Sequence, residues 1–521
     1  MTNSIKDILR RKHNYKIAMV VEGTLVGILV SLVVVCYRLS LKFASAQLLN
    51  ILAYCKQSIF TIILWFVILG LLAYILSILL KLEPMISGSG IPQLEAELSG
   101  HIKTNSIRTL LLKFIGGFIG IFAGLSLGRE GPSIQLGAMV GKTVNKILKR
   151  DKSEEKLLLT CGASAGLAAA FHAPLAGVMF AIEEVHKHFT IALLIAVMSS
   201  SIAADFVMAT ILGMKPVFSF EIVAVMPENN YLIIVVLGIA LGLLGASYNA
   251  GLLKAQDLYE KLPNNFTRLL IPFMLAGVIG FTCPTLLGGG DIIIEELSLH
   301  ELSTIALCLL LIAKFLFAII SYSSGAPGGI FFPLLVLGSL VGNIIANIGV
   351  SQFGLDPIFI NNIIILAMAG LFSSIVRAPL TGIILLFEMT GSLTNLLSIS
   401  LVAIISYVVA ELCKSQPIYE SLLDRLILTQ IDKTIIHESH EKVILEFVVN
   451  NNSYLDDKKI KDIYWPDNCL LVSIIRAGNE ITPNGSTIIR DGDQITTICD
   501  LKNESETYNT IFMMCEDMNN I

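Results

Sequence analysis

The sequence predicts an all-α polytopic membrane protein followed by a small α+β soluble domain. Of its 521 residues, 54% are hydrophobic and only 15% are charged, and the mean hydropathy is +0.76. Soluble globular proteins usually have about 25% charged residues. A helix of about 20 mainly apolar residues can cross a bilayer. Apolar stretches of roughly that length cover residues 17–35, 59–80, 191–212, 231–253, 269–287, 304–320 and 397–412. Other long apolar stretches are interrupted by Gly and Pro.

The N-terminal segment is basic, and no small-residue cleavage site follows the first apolar stretch, so we do not expect a signal peptide. By the positive-inside rule, the N-terminus is expected in the cytoplasm. Residues 5–13 could form an amphipathic helix at the membrane surface or a solvated basic tail. The nine cysteines are scattered without a C-x-x-C pair, which is typical of small core residues rather than a disulfide framework or a metal site.

The composition changes near Leu422, after which no apolar stretch is long enough to span a membrane. Alternating apolar segments at 442–449, 470–475 and 494–499 predict strands, and residues 453–463 predict a short helix capped by Ser453. We therefore divide the chain into a membrane domain and a cytoplasmic α+β domain. The membrane domain covers residues 1–423, with halves of about 16–212 and 230–423, and the second domain covers residues 424–521, with a core of about 440–516.

Two sequence matches in the same order indicate that the membrane domain is duplicated. Ala173-Pro174-Leu175-Ala176-Gly177 recurs as Ala378-Pro379-Leu380-Thr381-Gly382. Gly128-Arg129-Glu130-Gly131-Pro132 aligns with Gly329-Ile330-Phe331-Phe332-Pro333. The first register places Glu183 opposite Glu388, and the second pairs Gly137 with Gly338 and Gly141 with Gly342. Chance matches are the alternative, but they would not keep the order. Such interrupted segments in corresponding halves indicate a binding site near the bilayer midplane.

Glu130 is the first candidate functional residue, because its motif separates two apolar runs, at 114–127 and 133–144. A carboxylate at membrane depth costs at least ~2.5 kcal/mol, so such a residue indicates a function. Pro132 suits the first turn of a helix, where free N–H groups and the positive end of the dipole attract anions. A structural acid paired with Arg129 is the alternative.

Three motifs together resemble the signatures of the CLC chloride channel and transporter family. They are Gly88-Ser89-Gly90-Ile91-Pro92, Gly128-Arg129-Glu130-Gly131-Pro132 and Gly329-Ile330-Phe331-Phe332-Pro333. The resemblance runs from about residue 20 to residue 423, with the motifs in the family's order and spacing. It implies a homodimer in which each subunit has its own pore, built from two inverted halves of tilted, partly re-entrant helices.

The resemblance also assigns chloride-binding residues. The implied donors are the hydroxyls of Ser89 and Tyr419 and the backbone N–H groups of Ile330 and Phe331, with Gly128, Arg129 and Gly131 around Glu130. Glu130 would be the external gate and proton carrier. Ser89 indicates chloride, because relatives that prefer nitrate tend to carry proline there. Without the resemblance, Ser89 could be a helix cap, Tyr419 an interfacial residue, and the Ile330 segment a turn packed in the core.

Glu184 distinguishes two kinds of family member. Its repeat position holds Met389, whereas neighbouring Glu183 has a repeat partner in Glu388, which fits a structural role for Glu183. The resemblance makes Glu184 the internal proton-transfer glutamate of exchangers, where channels usually carry an apolar residue. We therefore predict a chloride/proton antiporter, with a passive voltage- or pH-gated chloride channel as the alternative. A receptor with a vestigial pore is disfavoured because the pore motifs are intact. Lys113 could raise the local potential for anions or pair with an acid.

The C-terminal segment resembles the TrkA-C domains of potassium-transport regulators, over roughly residues 442–515. The resemblance is carried by Trp465-Pro466-Asp467-Asn468-Cys469-Leu470-Leu471-Val472, Ile481-Thr482-Pro483-Asn484-Gly485 and Arg490-Asp491-Gly492-Asp493. It implies a regulatory role with an unidentified small-molecule ligand.

The expected partners are chloride, protons, the lipid bilayer and a second copy of the chain. We expect a multi-pass protein of a prokaryotic plasma membrane, with no cofactor, no nucleic-acid partner and no enzymatic activity.

Overall fold

The computed structural model describes residues 2–150, 152–187, 190–213, 218, 225–299, 302–391, 395–431, 442–466, 469–476, 479–500 and 504–515. They form two compact units, Met1–Leu428 and Thr429–Ile521. The helices of the first unit are α1 Thr2–Cys55, α2 Ile59–Leu82, α3 Ile91–Leu98, α4 Ser106–Phe122, α5 Glu130–Leu148, α6 Lys152–Phe171, α7 Pro174–Phe180, α8 Ile191–Leu212, α9 Tyr231–Glu260, α10 Asn265–Thr282, α11 Asp291–Leu299, α12 Thr304–Ser323, α13 Phe331–Phe353, α14 Ile360–Val376, α15 Pro379–Thr390, α16 Leu396–Leu412 and α17 Ile418–Ile431. Residues 5–13 lie in α1, and their side chains are outside the described residues.

Among the described residues, eight helical segments are long and apolar enough to cross a membrane. The predicted stretches 17–35, 59–80, 191–212, 231–253 and 304–320 lie within such segments, and 397–412 forms the shorter helix α16. The predicted stretch 269–287 is too long, because α10 ends at Thr282. A separate 3₁₀ turn, Pro284–Leu286, follows, since proline has no N–H with which to continue the helix.

Two spanning segments were missed from the sequence, namely Phe331–Phe353 and Pro357–Val376. They are also the most enclosed by protein of the eight, with 78% and 83% of the residues in their apolar stretches buried. Their glycines are packing positions rather than breaks. A Cβ on Gly338 would lie 2.8 Å from the backbone of Met368, and one on Gly342 would lie 2.8 Å from the Cα of Ile364. Small residues therefore let α13 and α14 approach closely.

The first half uses glycine at the equivalent positions for the same purpose. A Cβ on Gly137 would collide with the carbonyl of Gly162, and one on Gly141 with the carbonyl of Leu158. Both contacts join α5 to α6, as the contacts of Gly338 and Gly342 join α13 to α14. The predicted equivalence of these glycines is thus confirmed in the packing of the two halves.

Glu183 and Glu388 make reciprocal contacts between the halves. The Glu388 carboxylate accepts the backbone N–H groups of Leu175 and Ala176, at 2.9 and 2.8 Å, at the start of α7. The Glu183 carboxylate accepts those of Leu380 and Thr381, at 3.2 and 2.8 Å, at the start of α15. Each acid thereby satisfies free N–H groups of the other half's helix. The structural role predicted for Glu183 is confirmed.

Replacing Glu388 with alanine should lower the stability of the membrane unit. Two N–H groups at the start of α7 would lose their acceptor, and losing a helix cap of this kind costs about 0.5–2 kcal/mol. The measurement is thermal unfolding of the detergent-solubilised protein. Glu411→Ala is the matched control, because Glu411 is an exposed carboxylate and its partner Arg377 keeps two backbone carbonyl acceptors without it. Equal melting temperatures of the two variants would contradict the capping role.

The second unit contains strands β1 Lys442–Val448, β2 Leu470–Arg476, β3 Asn479–Ile481 and β4 Gln494–Asp500, and helix α18 Glu504–Cys515. They form an antiparallel sheet in the order β1-β4-β2-β3. The three predicted strand segments are confirmed, and β3 was missed because it is short. One face of the sheet packs against α18, with Phe447 and Tyr508 rings 5.3 Å apart.

The helix predicted at residues 453–463 is wrong. The segment consists of turns, an isolated bridge between Lys459 and Ile488, and one 3₁₀ turn, Ile460–Asp462. Its backbone N–H groups donate to another segment, for example from Asp457 to the Ile489 carbonyl and from Ile460 to the Thr487 carbonyl, both at 3.0 Å. Tertiary pairing therefore replaces the helical hydrogen bonds. Ser453 Oγ finds no hydrogen-bond partner among the described residues.

Candidate functional site

The three glycine-rich motifs meet at one place in the membrane unit. Gly128 and Gly329 form a reciprocal antiparallel bridge, in which each N–H donates to the other's carbonyl at 2.7 Å. A Cβ on Gly131 would lie 2.8 Å from the Cβ of Ser89. A Cβ on Gly329 would lie 3.0 Å from the backbone N of Gly131. Only glycine therefore lets these backbones approach so closely.

The turn that carries Ser89 is held by hydrogen bonds from Gly328 and Lys113. Gly88 and Gly90 have φ values of 59° and 90°, a left-handed conformation that favours glycine. The Gly88 carbonyl accepts the Gly328 N–H at 2.9 Å and Lys113 Nζ at 2.7 Å. Lys113 also donates to the Ile86 carbonyl at 2.9 Å. Lys113 therefore fixes the backbone beneath Ser89.

The second half has an equivalent lysine that was missed from the sequence. Lys314 Nζ donates to the carbonyls of Leu286 and Gly288, at 2.9 and 2.8 Å. Lys113 and Lys314 are separated along the chain by the same interval as Gly128 and Gly329, and that interval was the signal that could have identified the pair. The halves differ in the turn itself: when the turns are aligned by the carbonyls that accept each lysine, Gly289 stands where the first half has Ser89.

Ser89 and Tyr419 are both buried, and a third hydroxyl lies beside Ser89. Ser89 Oγ accepts the Ile91 N–H at 3.3 Å and lies 3.5 Å from the Oη of Tyr322. The Tyr419 Oη finds no hydrogen-bond partner among the described residues. A buried hydroxyl usually has a partner, so Tyr419 has donor capacity for a ligand. Sequence reasoning missed Tyr322.

Ile330 and Phe331 lie at the start of α13, as predicted. Phe331 is the first residue of the helix and Ile330 precedes it, and both are buried. Leading N–H groups of a helix have no partner within it. The Phe331 ring packs against those of Phe372, Phe171 and Phe180, with centroids 4.5, 5.1 and 6.4 Å away. This aromatic cluster excludes water and so strengthens electrostatic contacts at the helix start.

Glu130 is the first residue of α5 and its side chain is fully buried. Its carboxylate lies near the backbone N–H groups of Glu130 itself and Phe332. Neither carboxylate oxygen makes a hydrogen bond of normal geometry with a described residue. Arg129 Nε is 3.8 Å from Glu130 Oε1, and Arg129 Nη2 is 4.0 Å from Asp291 Oδ1. Glu130 is thus held loosely, and Arg129 is shared between two acids.

A cavity of about 480 Å³ borders this acid, and we call it the Glu130 cavity. Its charged lining consists of Arg38, Lys42, Arg129, Glu130 and Asp291. Three cations against two acids give the cavity a net positive lining when all are ionised. Such a lining raises the local concentration of anions next to the start of α5.

Glu184 lies on a π-helical turn, Ala181–His186, that continues α7. Single π-turns are frequent at functional sites. Glu184 is buried, and its Oε1 finds no hydrogen-bond partner among the described residues. Glu183 points instead to α15, so the two adjacent acids have different surroundings. Glu184 lines a second cavity of about 540 Å³, the Glu184 cavity, whose lining is Ile182, Glu183, Glu184, Lys187, Arg377, Tyr407, Pro417 and Glu420.

The structure therefore brings Ser89, Gly128, Gly131, Ile330 and Glu130 together around converging backbones and helix starts. Glu184 lies in a separate cavity from Glu130. Tyr419 is buried on α17, and the next residue, Glu420, lines the Glu184 cavity. Hydroxyls and N–H groups of this kind can hold an anion, and two buried carboxylates can each hold a proton. Within the described residues, no group of three or more His, Cys, Asp and Glu side chains is arranged to hold a metal ion.

Comparisons with known proteins agree with this geometry. Residues 72–411, well over half of the chain, match the family described as "Voltage gated chloride channel". The chain is 35% identical to an H⁺/Cl⁻ exchange transporter ClcA of Vibrio cholerae over 377 residues, covering 70% of this chain and 80% of that protein. It is 32% identical to the ClcA of Klebsiella pneumoniae over 433 residues, covering 80% and 90%.

Solved structures lead to the same fold. A slow cyanobacterial Cl⁻/H⁺ antiporter superimposes with a TM-score of 0.74 at 30% identity, covering 79% of this chain and 98% of that one. A eukaryotic CLC transporter superimposes with a TM-score of 0.66 at 20% identity, covering 80% and 74%, which supports the fold alone. Residues 444–511 match the TrkA-C domain, as predicted. The chain therefore belongs to the CLC family of voltage-gated chloride channels and related transporters, and carries a C-terminal TrkA-C domain.

Proposed function

We propose that this protein exchanges chloride for protons across the plasma membrane, as a secondary active antiporter. One observation carries the proposal: two buried carboxylates, Glu130 and Glu184, lie in separate cavities. A passive pore needs a path for the anion only. Coupling to protons also requires two groups that bind protons, one on each side of the anion donors. The similar proteins named as exchange transporters and antiporters support the same conclusion.

In this proposal, the central chloride binds between the hydroxyls of Ser89 and Tyr419 and the N–H groups of Ile330 and Phe331. The start of α13 supplies the positive end of a helix dipole, and the buried aromatic rings keep the site dry. The outer anion position is formed by Gly128, Arg129 and Gly131 at the start of α5. Glycines there leave the backbone N–H groups accessible to an ion.

Glu130 acts as the gate at the outer position. Its ionised carboxylate competes with chloride for the N–H groups at the start of α5. When the carboxylate takes up a proton it loses that attraction and can move into the Glu130 cavity, which admits the anion. The absence of any well-formed hydrogen bond to its oxygens among the described residues supports this mobility. One group therefore changes protonation state and position in the same step.

Glu184 delivers protons from the opposite side. It is buried within the protein but borders the Glu184 cavity, so a proton can reach it without passing through the chloride site. Because the two ions have separate routes, protons and chloride do not compete for one path. The two routes meet at the position of Glu130.

The wider architecture follows from the same family. We propose a homodimer with one pore in each subunit, two inverted halves, and both the N-terminus and the TrkA-C domain in the cytoplasm. The antiparallel bridge between Gly128 and Gly329 and the reciprocal contacts of Glu183 and Glu388 support an inverted relation, because each element of one half meets its counterpart. The TrkA-C domain would regulate transport on binding a small molecule.

The proposal is tested by reconstituting the protein into liposomes loaded with potassium chloride and suspended in low-chloride buffer of the same potassium concentration, with a potassium ionophore to carry the compensating charge. Chloride leaving the liposomes should drive protons inward, so that the external pH rises until a proton ionophore reverses the change. The pH rise must occur without any initial pH gradient. Chloride efflux with no movement of protons would identify a passive channel and contradict the proposal.

Removing the C-terminal domain should leave ion binding intact. The cut belongs after Ile431, because α17 carries Tyr419 and ends at that residue. Since the residues proposed to bind chloride all precede the cut, the truncated protein should bind chloride with the affinity of the full chain, within about twofold. Isothermal titration with chloride in detergent measures this. A complete loss of binding by a truncated protein that remains folded would contradict the division of roles.

A further inference from the structure

A lysine beside the Glu184 cavity bridges two carboxylates that have no role in the proposed function. Lys187 Nζ lies 3.0 Å from Glu420 Oε1 and 3.6 Å from Glu95 Oε2. Lys187 and Glu420 line the same cavity as Glu184. Sequence reasoning identified none of the three.

The three charged residues are fixed by the same elements that hold the ion-binding groups. Glu95 lies on α3, the helix that follows the turn carrying Ser89. Lys187 directly follows the π-turn that carries Glu184, with a φ of 55° and an N–H that donates to the Ile182 carbonyl at 3.1 Å. Glu420 follows Tyr419 at the start of α17. A rearrangement of any one element would therefore move both a member of the cluster and an ion-binding group.

Exposure falls steeply along the cluster. The Glu420 side chain is 51% exposed and that of Lys187 is 38% exposed, whereas Glu184 is 5% exposed. Glu420, Lys187 and Glu184 all line the Glu184 cavity. The cavity thus extends from a solvent-accessible carboxylate to a buried one whose Oε1 has no hydrogen-bond partner among the described residues.

We infer that Glu420, positioned by Lys187 and Glu95, captures protons from solution and passes them to Glu184 through the Glu184 cavity. The inference rests on the proposed antiport and assigns its proton entry. In the step, a hydronium ion gives its proton to the Glu420 carboxylate and leaves as water. The resulting acid then gives a proton to a cavity water, which gives one to the Glu184 carboxylate. Glu420 returns to its ionised form.

Two other charged groups of the cavity, Glu183 and Arg377, are already engaged. Glu183 accepts backbone N–H groups of α15, and Arg377 donates to the carbonyls of Tyr407 and Ser415 at 2.5 and 2.7 Å. Among the described residues, the charged and titratable groups that face the relay are Glu95, Glu183, Glu184, Lys187, Arg377, Tyr407, Tyr419 and Glu420. Glu420, by contrast with Glu183, is exposed to solvent, and its carboxylate forms an ion pair with Lys187 instead of capping a helix. Lys187 is a positioning residue, since its charge keeps two carboxylates close to Glu184 despite their mutual repulsion.

The test measures proton flux by full-length protein in liposomes, over a range of pH on the side of the Glu184 cavity. Glu420→Gln should reduce proton flux about tenfold at the alkaline end, less than the ~10²–10⁴ of a primary acid or base because cavity water offers a bypass. The reduction should shrink as the pH falls, because abundant hydronium can then load Glu184 directly. Lys187→Met should behave in the same way, and Lys187→Arg should restore most of the flux.

Glu411→Gln is the matched control, because Glu411 is an exposed carboxylate that pairs with Arg377 of the same cavity. It should keep the wild-type pH profile. Chloride affinity by isothermal titration should be unchanged in every variant, which shows that the fold is intact. Unaltered flux and pH profile in Glu420→Gln, an equal effect of Glu411→Gln, or a parallel loss of chloride affinity would each overturn the relay. Wild-type protein that moves chloride without protons would overturn the antiport as well, so the two failures are distinguishable.

Discussion

Glu130→Gln should abolish proton coupling and leave a chloride flux that no longer depends on pH. Glutamine imitates the protonated side chain, so the gate loses the charge that competes with chloride, and it cannot carry a proton. We expect proton flux to fall by at least about 100-fold, the lower bound for removing a positioned acid or base. The measurement is simultaneous recording of proton and chloride fluxes in liposomes, repeated over a range of pH.

Asp291→Asn provides the matched control for that variant. Asp291 is the other carboxylate of the Glu130 cavity and also lies near Arg129, but its side chain is 58% exposed. Its loss changes the charge of the cavity and leaves the gate in place, so proton coupling should persist. If Glu130→Gln continued to drive protons against chloride, the assigned gate would be wrong.

Glu184→Gln should stop proton movement while part of the chloride flux continues. Glutamine fills the same space but cannot bind and release a proton, so Glu130 can no longer be loaded from the Glu184 cavity. The chloride donors do not include this side chain, and the anion path therefore stays open. The same flux recording applies, with proton flux expected to fall by about 100-fold or more.

Its neighbour Glu183 offers an internal comparison. Glu183→Gln should keep proton coupling and lower the unfolding temperature, because its carboxylate caps α15 with hydrogen bonds at 3.2 and 2.8 Å. The paired variants thus separate transfer of protons from maintenance of the fold. Proton transport that survives Glu184→Gln but not Glu183→Gln would reverse the two roles.

The motifs could be found in the sequence because they break a strong local pattern. A charged pair such as Arg129 and Glu130 inside apolar runs is visible without any knowledge of the fold. The duplicated motif aligned Gly128 with Gly329, and the structure joins these two residues in an antiparallel bridge. Glu183 and Glu388 were matched in the same way, and their capping contacts cross between the halves.

Other features depend on tertiary contacts that leave no local pattern. Tyr322 lies in an apolar helix, and only the fold brings its hydroxyl within 3.5 Å of Ser89 Oγ. Lys187 and Glu420 are far apart in the chain and meet only because α17 packs near the π-turn. The predicted helix at 453–463 failed for a related reason, since its N–H groups pair with residues 485–489 rather than with their own turn.

The account is tested most directly by the reversal potential of the current carried by the wild-type protein in planar bilayers, under combined chloride and pH gradients. An antiporter responds to both ions. At a fixed chloride gradient, the reversal potential should therefore lie away from the chloride equilibrium potential and shift when the pH gradient is changed. A reversal potential that stays at the chloride equilibrium potential, whatever the pH gradient, would contradict coupled exchange and identify a passive chloride channel.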